Sequence, residues 1–112
     1  MTDGYVLVLT TISLDVDPSV LGTRLVEERL AACVNIGAPM TSVYWWQGNL
    51  TRDAERQLVI KTTADRVVAV KARLTELHSY ELPEIIVIPV VDGSHPYLGW
   101  VRTTTAAEPG GG

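Results

Sequence analysis

Apolar residues recur along this chain with two different periods, and each change of period marks an element. Residues 5–11, Tyr-Val-Leu-Val-Leu-Thr-Thr, are an unbroken aliphatic and β-branched run. Such a run predicts a strand that is apolar on both faces and therefore central in a sheet. Asp17-Pro18 then opens a helix, with Asp as N-cap and Pro at the first helical position. Leu21, Leu25, Val26 and Leu30 keep a spacing of about four and leave Arg24, Glu27, Glu28 and Arg29 to water, which carries this helix to about Ala31. A second strand begins at Cys33-Val34-Asn35-Ile36. Gly37-Ala38-Pro39 interrupts it, and because proline cannot donate to a ladder this point is a bulge, a bend or an edge. The strand resumes from Met40 to Trp46. Gln47-Gly48-Asn49 reads as a hairpin turn, followed by a third strand from about Leu50 to Thr62. Thr62 with Asp65 is a weak capping box for a second helix, whose stripe is Val67, Val70, Leu74 and Leu77. Pro83 ends that pattern. Residues 84–91 form the fourth strand, Asp92-Gly93 turns the chain, and residues 95–101 make a short helical or irregular closing element.

The order is β-α-β-β-α-β. The economical way to bury both helical stripes is to pack two helices on one face of an antiparallel sheet, which is the ferredoxin-like α+β arrangement. Residues 1–105 are expected to form one domain, and residues 106–112 a disordered C-terminal tail. In this topology the first strand is central and the second and fourth lie at the edges. The fourth carries Ile85-Ile86-Val87-Ile88, an unprotected aliphatic edge. The long hairpin of the second and third strands overshoots the core and carries Tyr44, Trp45 and Trp46 at its tip. A second copy of the chain covering both features accounts for them. In the competing reading, the segment after Asp92 folds back over the fourth strand and the tryptophans are a local cluster.

Composition narrows the function classes. Nine Lys and Arg against thirteen Asp and Glu leave a net charge of −4 in 112 residues. That argues against a nucleic-acid partner and against docking on anionic lipid. No stretch approaches the roughly 20 apolar residues that span a bilayer. Met1-Thr2-Asp3-Gly4 lacks a basic leader, so the expectation is a soluble cytoplasmic protein. A single cysteine excludes an internal disulfide framework and a Cys-x-x-Cys zinc site. His-Glu-x-x-His, the Gly-rich phosphate loop and Gly-x-Ser-x-Gly are all missing, and the sequence offers no positive sign of an enzyme.

Several side chains carry potential chemistry. His78 follows the second helix and is close in sequence to Tyr80, Glu81 and Glu84. Imidazole with carboxylate suits copper or zinc, while a histidine here also complements a helix C-terminus. Glu55 and Lys61 share one face of the third strand but stand six residues, about 20 Å, apart, so one extended strand cannot bring them to one site. Cys33 reads as a small apolar filler, with Met40 the only soft ligand near it. Trp46, Tyr80, Tyr97 and Trp100 either line a cleft between subunits or form interface core. His95 is expected to be exposed.

Five segments in order complete the picture: Leu30-Ala31-Ala32-Cys33-Val34-Asn35, Ser42-Val43-Tyr44-Trp45-Trp46-Gln47-Gly48, Ile60-Lys61-Thr62-Thr63, His78-Ser79-Tyr80-Glu81-Leu82-Pro83-Glu84-Ile85 and Tyr97-Leu98-Gly99-Trp100. Together they resemble the CutA family of divalent-cation tolerance proteins. The resemblance implies a ferredoxin-like subunit in a tight homotrimer, similar in architecture to the PII signalling proteins, and a link to copper and other divalent metals. Thr10 stands where some relatives carry a cysteine linked to copper, so a thiolate ligand is lost there. His78-Ser79-Tyr80 replaces a motif often written His-Pro-Tyr, and Asp53 and Glu55 keep both carboxyls of an acidic pair. The expected metal ligands are Glu55, His78 and Glu84, near subunit clefts lined by Trp46, Lys61, Tyr80, Tyr97 and Trp100. No cofactor is required, and copper or another divalent metal ion is the expected ligand. Two rival readings are a PII-like module holding a small anion against Lys61 and Arg102, and a trimeric scaffold for a partner protein.

Overall fold

The first strand shows how the molecule is layered. In the computed structural model, which describes residues 4–106, β1 (Tyr5–Ser13) buries Val6, Val8, Thr10 and Ile12, whereas Tyr5, Leu7 and Leu9 stay half-buried. Side chains of a strand alternate between faces, so one face of the sheet is fully covered and the other only in part. The covered face carries the main core. Leu21 and Leu25 of α1 (Pro18–Glu27) and Val70 and Leu74 of α2 (Val67–Leu77) pack there against Val8, Ile12, Leu58 and Ile60. Arg73 grips Glu28 with two hydrogen bonds of 2.9 and 2.8 Å and ties the segment after α1 to α2. No helix among the described residues is long and apolar enough to cross a membrane.

The Asp17 cap forms as expected: its carboxylate accepts from the Ser19 amide at 3.0 Å and the Ser19 hydroxyl at 2.7 Å. Those bonds, the hydroxyl's foremost, hold the Asp17 carboxyl below its usual range. The helix stops at Glu27 rather than Ala31. The Arg29 amide bonds back to the Val26 carbonyl and the Leu30 amide to the Leu25 carbonyl, with Arg29 at φ +61°. This is a Schellman closure built on arginine where glycine is usual. It turns the chain into β2 (Cys33–Ile36).

Proline and glycine at 37–39 cut the second strand in two, giving β2 and β3 (Met40–Trp46) and five strands in place of four. At the break the Gly37 amide donates to the Gln57 carbonyl at 2.8 Å. A Cβ at Gly37 would stand 3.0 Å from that oxygen, so the close approach needs glycine. The two-residue loop Gln47-Gly48 has φ of +49° and +81°, the positive pair of a type I′ hairpin turn. It leads into β4 (Asn49–Thr63), a 15-residue strand that pairs antiparallel with β1, β2 and β3. β5 (Ile86–Val90) pairs with β1 from Tyr5↔Val90 to Leu9↔Ile86. The order β2-β4-β1-β5 puts β1 and β4 inside and β5 at an edge, as the sequence predicts.

Two expectations change. Thr62 does not cap α2, because its hydroxyl donates to the Leu30 carbonyl at 2.7 Å; a 3-10 turn at Ala64–Arg66 leads into the helix instead. The closing element is a full helix, α3 (His95–Ala106), so Ala106 belongs to it and the rest of the expected tail lies outside the described residues. α3 lies on the half-covered face. Lys61 Nζ sits 5.7 Å from the Tyr97 ring centroid, and the Arg102 guanidinium 4.7 Å from that of Tyr5. Arg29 and Arg66 donate to the Thr104 and Thr105 carbonyls at its C-terminus. The face keeps an apolar strip in which Leu7, Leu9 and Val59 are half-buried and Ile86 and Ile88 are exposed, Ile86 at 48%.

Candidate functional site

The candidate cleft forms where β5 falls short. β5 reaches β1 only as far as Leu9, leaving residues 10–13 of β1 without a strand on that side. Segment 78–85 fills the gap. His78 Nε2 lies 2.7 Å from the Thr11 carbonyl, so this nitrogen carries the proton and donates. Nδ1 is then the acceptor, and it takes the Tyr80 amide at 3.1 Å. The imidazole also lies against the Tyr80 ring, with centroids 4.9 Å apart. With Tyr80 so fixed, its hydroxyl donates to Glu55 Oε2 at 2.6 Å.

The overshooting hairpin supplies the other wall. Strand alternation puts Tyr44 and Trp46 of β3 on one face with Thr51, Asp53 and Glu55 of β4, Tyr44 opposite Thr51 and Trp46 opposite Asn49. The Tyr44 hydroxyl donates to Asp53. Between hairpin and segment lies a cleft of about 740 Å³, walled on the segment side by Tyr80, Glu81, Leu82 and Glu84. Glu55 is only 6% exposed, accepts just the Tyr80 bond and has no basic partner among the described residues. Burial, then the bond to Glu55, pushes the Tyr80 hydroxyl well above its usual range. The bond to Asp53, then burial, pushes Tyr44 up to about 12. Both hydroxyls therefore stay protonated and donating at neutral pH.

The structure thus gathers Glu55, Glu84, Trp46 and Tyr80 around one cleft. His78 stands behind Tyr80 with both ring nitrogens engaged, and as a metal ligand it would first give up one of those bonds. Lys61 and Tyr97 border a separate pocket of about 270 Å³ beneath α3, and Trp100 stacks beside Tyr97 at 5.5 Å. Glu55 and Lys61 stay apart as their spacing requires. Thr10 is fully buried on the helix-covered face, away from the cleft. Cys33 is half-buried on edge strand β2 rather than sealed in the core. Among the described residues no three of His, Cys, Asp and Glu converge closely enough to hold a metal ion. The sequence reading left Tyr44 out of the site and noted Asp53 without placing it there. The signal was available, since period-two alternation places both on the face of Trp46 and Glu55.

Comparisons with known proteins agree with this architecture. The family model for the CutA1 divalent ion tolerance protein matches residues 6–104. The divalent-cation tolerance protein CutA of Thermus thermophilus is 42% identical over 99 residues, covering 88% of this chain and 96% of that protein. Human protein CutA is 44% identical over 85 residues, 76% of this chain but 48% of its own length, so the chain spans about half of that relative. The solved structure of the PII-like protein CutA from Nostoc sp., in apo form, superposes with a TM-score of 0.83 at 34% identity, covering 89% and 96% of the two chains. The chain belongs to the CutA1 divalent ion tolerance protein family.

Proposed function

We propose that the chain serves divalent-cation tolerance as a homotrimer that binds divalent metal ions, copper foremost, in the cleft between the hairpin and segment 78–85. The observation that carries this reading is Glu55, a carboxylate nine-tenths buried without a basic partner among the described residues, bordering the same cleft as Glu84. A charge so placed is costly unless a cation completes it. The family's tolerance name supports a metal as that cation. Glu55 and Glu84 donate oxygen, and His78 acts by holding Tyr80 in place. Among the described residues one copy does not supply three converging donors, so water or a neighbouring copy fills the remaining positions. The bare apolar edge of β5 and the strip of Leu9, Val59 and Ile86 support assembly.

Trp45 and Trp46 border the cleft and report on it directly. Titration with copper(II) is expected to change their fluorescence to a saturable end point. Glu55→Gln and Glu84→Gln should each weaken that response at least tenfold. If both variants titrate like the wild type, the metal does not sit in this cleft.

A further inference from the structure

We infer that the same cleft takes an aliphatic polyamine, its ammonium groups shared between the carboxylates and its methylenes lying against the aromatic wall. The inference rests on the reading of this cleft as the cation site and names an organic occupant for it. Charge comes first. Asp53, Glu55, Glu81 and Glu84 border the cleft, and among its lining residues there is no lysine, arginine or histidine. Glu55 is nine-tenths buried, and only one of its oxygens accepts a hydrogen bond among the described residues.

Spacing and size then separate an organic cation from a bare ion. A bare divalent ion wants several oxygens drawn to within about 2.6 Å of one point. Here no three donors converge among the described residues. Asp53 and Glu55 stand two residues apart on one face of β4, about 7 Å along the strand. Glu81 and Glu84 come from the segment across the cleft. Charges strung out in this way match ammonium groups strung along a chain. The cleft's volume of about 740 Å³ is that of a small-molecule site. Its wall includes the rings of Tyr44, Trp46 and Tyr80, surfaces that hold ammonium groups by cation–π attraction and cover methylenes.

The test is calorimetric titration of the full chain with spermidine, with 1,4-butanediol as an uncharged probe. Spermidine should bind saturably and butanediol should give no binding heat. Glu55→Gln and Trp46→Ala should each weaken spermidine at least tenfold, with Glu84→Gln as a second acidic variant on the opposite wall. Glu27→Gln, an exposed change on α1, should leave binding unaltered. Equal spermidine affinity in all four variants would mean diffuse surface attraction and would overturn the inference. Copper(II) is titrated in parallel. If copper binds through Glu55 and millimolar spermidine fails to displace it, the polyamine fails and the metal reading stands. If spermidine binds through Glu55 and Trp46 while copper does not, the outcome is the reverse.

Discussion

Thr10 has a hydroxyl that finds no hydrogen-bond partner among the described residues although the residue is fully buried. Burying such a group without a partner costs on the order of 1–3 kcal/mol. Valine has nearly the same shape and suits a strand, so Thr10→Val should raise stability by about 1 kcal/mol. Chemical denaturation reads this out, and a less stable variant would show that the hydroxyl is satisfied after all. A thiol at this position would lie in the core, away from the cleft. The two cleft tyrosines make a different prediction. Tyr44, pushed up to about 12, and Tyr80, pushed higher by burial and by Glu55, both hold their protons more tightly folded than unfolded. Below the ordinary tyrosine value near 10 both states are protonated and this contribution to stability is fully present. Above it the unfolded chain ionises first, so stability falls as pH rises through 10 toward the folded values. Absorbance of tyrosinate should accordingly show a component from Tyr44 and Tyr80 that ionises late, and Tyr80→Phe should remove part of it. The absence of any late component would contradict the two hydroxyl–carboxylate bonds.

At the scale of elements, what the sequence revealed was whatever local pattern controls. The aliphatic run of β1, the Asp17-Pro18 cap and the stripe of Val70 and Leu74 are local, and each lies where its pattern puts it. The ends were less readable because distant groups decide them. α1 stops on a left-handed Arg29, a residue that carries none of glycine's signal. α3 runs through Thr103, Thr104 and Thr105, poor helix formers that lie beyond the closing element expected at residues 95–101. Arg29 and Arg66, far away in sequence, satisfy its last carbonyls. The site divides along the same line. Glu55 and Trp46 stand out from strand alternation alone. The Tyr80–Glu55 bond did not, because segment 78–85 has no period and takes its position from His78 and the bare edge of β1. Within one copy, Lys61, Tyr97 and Trp100 lie apart from this cleft. They stand at the far end of β4, by the rule of strand rise that separates Lys61 from Glu55.

For the whole molecule, the apolar strip sets a consequence for assembly. The helix-covered face is closed by α1 and α2, but α3 shields only one end of the opposite face. Ile86, Ile88 and Val87 meet water at 48%, 39% and 38% exposure on an edge strand free to pair. A lone copy with that edge would invite uncontrolled pairing, whereas a closed ring of copies uses it up. Light scattering at micromolar concentration should give three times the 12.2 kDa chain mass. Ile86→Lys is the discriminating change. Its side chain is half in water in a single copy, so the lysine costs the isolated fold little. In the proposed trimer the same lysine would be buried without a partner, which costs several kcal/mol. The variant should therefore keep its circular dichroism spectrum while its mass falls to that of one chain. A wild type already at the mass of one chain, or a variant that stays assembled, would mean that this strip is not where copies meet.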